Sequence, residues 1–234
     1  LVLPIGTLLA ASGARGVLAA LGDGAVLGAL ALTAACAAAA TALAVAGGTP
    51  LAWALARRRL RGGTLLEAAI ELPLVVPHPV IGMALLVALA PQAPAGRALG
   101  TLGVQVVGTP LGIVLAMLVV SAPLYVMGAR EAIARVDARL EGVARTLGDD
   151  AWRAVRRVTL PQARRGLVAS AVAMWARATS EFGAIVLVAY HPKVTSVLAY
   201  DRYTTYGLQQ ALPVAAVLVL AAFAVLVLVR SARP

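Results

Sequence analysis

Glu71, Arg177 and Glu181 are ionisable side chains that stand inside largely apolar stretches. A charge at the centre of an apolar, membrane-like environment costs about 2.5–3.5 kcal/mol on insertion scales, so each needs a partner. Arg177 and Glu181 are four residues apart and share a helix face. The spacing predicts that they pair with each other, or that Arg177 reaches Glu71 on another helix. A static pair that only orients two helices is the plainer form of the same expectation. Thr179 and Ser180 place two hydroxyls beside this pair. His78, between Pro77 and Pro79, reads as a packing or helix-breaking residue, and no metal site is expected. Cys36 is the sole cysteine, which rules out an internal disulfide, and it lies in an alanine run as a small packing residue. The only lysine, Lys193, follows His191-Pro192, so there is no Gly-Lys-Ser/Thr phosphate loop.

The elements that carry these groups must be membrane helices. The 234 residues are 61% hydrophobic and only 13% charged, with a mean hydropathy of +0.90. A soluble domain is roughly half apolar and about a quarter charged. At about 20 residues per crossing there is room for five or six spans and little else, hence one membrane domain over residues 1–234. Apolar stretches run over residues 25–55, 64–90, 107–127, 167–190 and 212–229. The second of these holds Glu67, Glu71, Pro73, Pro77 and Pro79 and should be bent or broken near residues 73–79. Residues 1–11 are apolar but too short to cross and read as the remnant of a first span; no basic region precedes them as in a signal peptide.

The net charge of +10 sits in the segments between spans, which argues for the positive-inside rule and against nucleic acid. Arg57, Arg58, Arg59 and Arg61, the nine arginines of residues 130–165, and Arg230 with Arg233 define one side. Arg15, Arg97, Lys193 and Arg202 are the basic residues of the other. Counted through six spans, both termini are cytoplasmic. Residues 189–210 then face outward, with Tyr190, Tyr200, Tyr203 and Tyr206 at the interface.

Residues 130–165 form the only long polar segment, and a chain of spans keeps one of this size when something docks on it. Residues 140–166 read LEGVARTLGDDAWRAVRRVTLPQARRG. The sequence predicts a helix, a turn at Gly148, a second helix capped by Asp149 or Asp150, and a stop at Pro161. Trp152, Val155 and Val158 follow helical spacing, with Arg153, Arg156 and Arg157 on other faces.

This segment resembles the cytoplasmic loop of binding-protein-dependent ABC importer permeases, whose pattern is E-A-A, three residues, Gly, nine residues, Ile, one residue, Leu-Pro. Gly148 is followed by nine residues and then Val158, Thr159, Leu160 and Pro161. At the E-A-A positions stand Gly142, Val143 and Ala144, with Glu141 one place early. A basic amphipathic helix lying on anionic lipid would not require the glycine, the spacing and the Leu-Pro together. Residues 48–57 (GTPLAWALAR), 71–86 (ELPLVVPHPVIGMALL) and 180–193 (SEFGAIVLVAYHPK) resemble the molybdate and tungstate permeases of that class, and residues 190–213 its archaeal-type branch.

The resemblance implies an all-α integral membrane protein of the type I importer permease fold, with about six transmembrane helices in the cell membrane. Residues 141–150 would be the coupling helix that enters a groove on an ATPase subunit, with Gly148 allowing close backbone approach. The implied partners are an ATPase dimer, an external substrate-binding protein, a second permease copy and lipid, without a cofactor. ATP hydrolysis would lie on the partner. Asp23, Asp201 and Arg202 face outward, either solvated or against the binding protein. For an oxyanion in the pore, Thr179 and Ser180 are the expected contacts, because a tight cationic site would trap it. The competing readings are a permease for sulfate or another small solute, an intramembrane enzyme, and a scaffold without transport.

Overall fold

The computed structural model describes residues 2–57 and 62–231. The basic turn expected at Arg58, Arg59 and Arg61, and the tail residue Arg233, lie outside the described residues, as does the side chain of Arg230. Every regular element described is helical. In chain order these are α1 (Val2–Gly22), α2 (Gly24–Ala56), α3 (Gly63–Val75), α4 (His78–Leu89), α5 (Pro94–Thr101), α6 (Pro110–Ala134), α7 (Ala138–Thr146) and α8 (Ala151–Ala154). A π-helical turn (Val155–Thr159) leads into α9 (Leu160–Thr179), followed by α10 (Ile185–Val188), α11 (Thr195–Tyr206) and α12 (Leu208–Ser231).

The core is the contact of α2, α6 and α9. Small residues bring the helix axes close, the usual device where no hydrophobic force separates helix from lipid. Ala37, Ala40, Ala44 and Ala52 of α2 are buried against Ile113, Met117, Val120 and Ala129 of α6. A Cβ on Gly48 would lie 3.0–3.1 Å from Val126 and Tyr125. Where α6 meets α9, Gly128 lies against Ser170 and Gly166 against Ala132, too close for any added side chain. Thr49 and Tyr125 share a 2.6 Å hydrogen bond across the first interface.

Four described helices are long and apolar enough to cross a membrane, and five if the bent pair α3–α4 counts as one span. The sixth expected span corresponds to α9, which carries Arg164, Arg165 and Arg177 and is less apolar than the other five. Three expectations are corrected. The first helix does not stop near residue 11: it kinks at Gly13 (φ +63°) and continues to Gly22, so Arg15 lies inside it and not in an outer loop. Only Asp23, which caps α2 by accepting from the Ala25 N–H, separates the two helices. The span over 167–190 is not continuous, for α9 ends at Ser180 and the chain turns before α10. Pro161 does not stop a helix; it occupies the first turn of α9, where its missing N–H is tolerated. The π-helical turn before it, in which the Leu160 N–H donates to the Val155 carbonyl, joins α8 to α9.

The expected break in the second apolar stretch is present. α3 and α4 meet at 111°, at Val76 and Pro77 rather than at Pro73, which is held within α3.

Candidate functional site

As far as Asp150 the polar segment follows its spacing, and only the stop expected at Pro161 is absent. Asp137 caps α7 through the Arg139 N–H. The helix ends at Leu147, and Gly148 takes φ +99°, a conformation that L side chains rarely adopt. Asp150 then accepts from the Arg153 N–H at 2.8 Å to start α8. Its neighbour Asp149 pairs with Arg157 at 2.7 Å. The turn is thereby closed by both aspartates in different roles.

Two faces of α7 differ. Leu140, Val143 and Leu147, at helical spacing, are exposed, Val143 at 55% and Leu147 at 83%. Gly142 and Arg145 flank this stripe beside a cleft that reaches Thr146, Asp149 and Asp150. Sequence reasoning singled out Val143 and Ala144 but missed Leu140 and Leu147. Their spacing of three and four residues from Val143 was the available signal.

Glu141 turns the other way and is 8% exposed. Its Oε1 accepts from Arg57 Nε (3.0 Å) and Nη2 (2.8 Å), from Trp53 Nε1 (3.3 Å) and from the Thr159 hydroxyl (2.6 Å). Arg57 also donates to the Val136 carbonyl at 3.1 Å. Burial alone would raise the Glu141 carboxyl, but the hydrogen bonds from Thr159, Arg57 and Trp53 and the charge of Arg57 outweigh it and hold it below the usual range. One carboxylate therefore ties α7 to the end of α2 and to the π-helical turn. Val158 and Leu160 are half-buried on the same joint, and Pro161 is exposed.

At the other end of α9, Arg177 lies 3.2 Å from Glu181, as the four-residue spacing predicts. It does not reach Glu71, which is exposed on α3 without an ion pair among the described residues. Its further partner is His78, with Nη2 at 2.9 Å from Nε2 and 3.0 Å from Nδ1. His78 Nδ1 is 3.1 Å from Glu181 Oε2. The expectation that His78 merely breaks the helix thus missed its contacts. Close packing makes them possible: a Cβ on Gly82 would sit 2.8 Å from the Ala184 carbonyl oxygen, and one on Gly183 about 3.0 Å from the His78 Cβ. Thr179 and Ser180 commit their hydroxyl donors to the carbonyls of Ala176 (2.8 Å) and Arg177 (2.9 Å).

Residues 190–206 are mostly helical. Asp201 accepts from Tyr190 (2.7 Å) and Lys193 (2.6 Å), which hold its carboxyl below the usual range, the lysine first. Arg202 is paired with Asp23, which ties α11 to the start of α2. No group of metal-ligating side chains occurs among the described residues.

The arrangement, a polar helix–turn–helix on a bundle of apolar helices that is broken near paired charges, is that of a multi-helix membrane protein. Residues 48–233 match the family of binding-protein-dependent transport system inner membrane components, and the chain belongs to that family. It is 39% identical over 183 residues to a molybdate/tungstate transport system permease protein of Thermococcus kodakarensis, covering 78% of this chain and 69% of the relative. To a probable molybdenum ABC transporter permease protein of Haloferax volcanii it is 40% identical over 231 residues, 98% of this chain and 84% of the relative. A probable sulfate transport system permease protein of Chlorella vulgaris is more distant, 31% identical over 185 residues, 77% of this chain and 70% of the relative. The chain is a transport subunit and not an enzyme, and its family implies an ATPase and a substrate-binding protein as partners.

Proposed function

We propose that the protein is the permease subunit of an ATP-driven importer that carries molybdate or tungstate into the cytoplasm. The observation that carries the coupling half of this reading is α7: an apolar stripe faces outward for a partner while Glu141 on its inner face is bound to α2. A partner that moves α7 must therefore move a membrane helix. The identity of about 40% to relatives named for molybdate, molybdenum or tungstate supports the substrate. Residues 1–234 act as one transmembrane domain, with 130–165 as the ATPase-coupling loop and both termini cytoplasmic. Two copies, embedded in lipid, enclose the path.

The test is uptake of labelled molybdate, tungstate and sulfate by vesicles containing the chain with its ATPase and binding protein, comparing wild type with Gly148→Asp. ATP-dependent uptake of molybdate or tungstate that the variant abolishes is the expected result. Sulfate-only uptake would transfer the substrate to the class of the Chlorella relative. Uptake without ATP dependence would sink the importer reading.

A further inference from the structure

Arg177 stands where the chain is least helical inside the apolar bundle, between the end of α9 and the α3–α4 break. Non-helical backbone at membrane depth is tolerated where it is buried in protein or lines a water-filled cavity. A charged side chain there faces the protein interior or that water. The cluster is asymmetric in exposure. The side chains of Arg177 and His78 are 26% and 33% exposed, whereas that of Glu181 is fully buried. The cation looks into open space and its counter-charge is hidden behind it.

The hydrogen-bonding inventory sharpens this. A guanidinium only donates and a carboxylate only accepts. His78 lies between the two, its Nδ1 3.1 Å from Glu181 Oε2 and both ring nitrogens within 3.0 Å of Arg177 Nη2. Nη2 of Arg177 bonds to His78 and lies 3.2 Å from Glu181 Oε2 as an ion pair, and Nη1 reaches the Ser180 oxygen at 3.4 Å. Among the described residues, the Nε–H and one Nη1–H of Arg177 have no partner. Thr179 and Ser180 have already given their donors to α9 carbonyls, so the guanidinium is what this site has to offer an anion.

We propose that Arg177 is a transient contact for the oxyanion on its way through the permease, and that Glu181, held behind it with His78, cancels enough of its charge to let the anion leave. Arg177 and Glu181 sum to zero charge, and the site meets the anion with oriented N–H dipoles instead of a net cation. Conduction needs a site that is favourable to enter and weak enough to leave. Glu181 and His78 are positioning residues. This rests on the substrate class proposed above.

The test removes the offset and looks for a trapped anion. The full permease–ATPase complex, without binding protein, is equilibrated with radiolabelled tungstate in lipid nanodiscs, and ATP-driven uptake of molybdate and tungstate is measured with the binding protein in vesicles. Glu181→Gln keeps an acceptor for the Ala184 N–H, which the wild-type carboxylate holds at 2.9 Å. It is expected to retain tungstate about 10- to 100-fold more tightly than wild type, in a salt-sensitive manner, and to transport more slowly, since a unit charge a few ångströms away is lost from the balance. Arg177→Gln combined with Glu181→Gln restores neutrality and should lose the retained anion. Retention by Glu181→Gln equal to wild type, or unchanged in the double variant, overturns the proposal. Should Glu181→Gln not assemble, Arg177→Gln alone decides: uptake must fall at least about tenfold while binding-protein-stimulated ATP hydrolysis persists, and parallel loss of both refutes an anion contact. Wild-type uptake is read in the same preparations, so a failed substrate assignment shows as no molybdate or tungstate uptake by wild type, separately from any result in the variants.

Discussion

Glu141 stands one place before the position where the family pattern has its glutamate, and the structure gives that offset a physical meaning. Its carboxylate points into the protein and meets Arg57, Trp53 and Thr159. Arg57 is itself 9% exposed in its side chain, so Glu141→Ala would leave a guanidinium buried without its counter-charge. Breaking a buried pair from one side costs about 3–5 kcal/mol, and a large drop in the melting temperature of the detergent-purified protein is expected. The pH dependence has a definite sign. Because the folded-state pKa lies below the unfolded one, the carboxylate contributes its full stability above the ordinary carboxylate range and loses it as the pH falls through the folded value. Melting curves from neutral to acid pH should show this acid-side loss in wild type and a weaker one in Glu141→Gln. Gly148 gives a second residue-scale prediction. At φ +99° an alanine is strained by about 1–2 kcal/mol. Gly148→Ala should lower uptake per ATP hydrolysed more than it lowers the melting temperature. The position of Gly148 was legible from its spacing to Leu160 and Pro161. The inward role of Glu141 was not, because Trp53 and Arg57 lie 88 and 84 residues away and no local pattern connects them.

At the scale of elements, the bundle depends on where side chains are missing. Gly48, Gly128 and Gly166 let α6 touch α2 and α9. Overpacking such an interface costs typically about 1–3 kcal/mol. Gly166→Val should therefore destabilise the protein by that amount, while Gly142→Ala, with open space around its Cβ position, should leave the melting temperature within about 0.5 kcal/mol equivalent. Thermal unfolding of the two variants side by side checks this. The proline-rich stretch announced the break between α3 and α4, since three prolines within residues 73–79 leave few alternatives. The end of α9 was hidden. Nothing in the apolar run 167–190 signals a turn except Ser180 and Gly183, and the packing of Gly183 on His78 is a contact between residues far apart in sequence. The extent of α1 was hidden by its own polar residues, Ser12 and Arg15, which interrupt the apolar run without ending the helix.

For the whole molecule, the segregation of basic residues predicts orientation, and a simple chemistry can test it. Cys36 is the only cysteine and is buried, so one introduced cysteine at a time can be followed. An impermeant maleimide should label Tyr206→Cys from outside intact cells and Leu147→Cys only after the inner face is opened; both positions are exposed, Tyr206 at 70%. Labelling of both from the same side would contradict the arrangement of spans. The same architecture has a mechanical consequence. α2 is anchored near Arg57 by Glu141, and further along the helix Thr33 shares a buried 3.1 Å hydrogen bond with Thr195 at the start of α11. From Arg57 to Thr33 the helix measures about 36 Å at ~1.5 Å per residue. A lever of that length turned by about 5° about its anchored end displaces Thr33 by about 3 Å, which is as long as the bond itself. Any tilt of this size obliges the outward segment to travel with α2 or to let go of it.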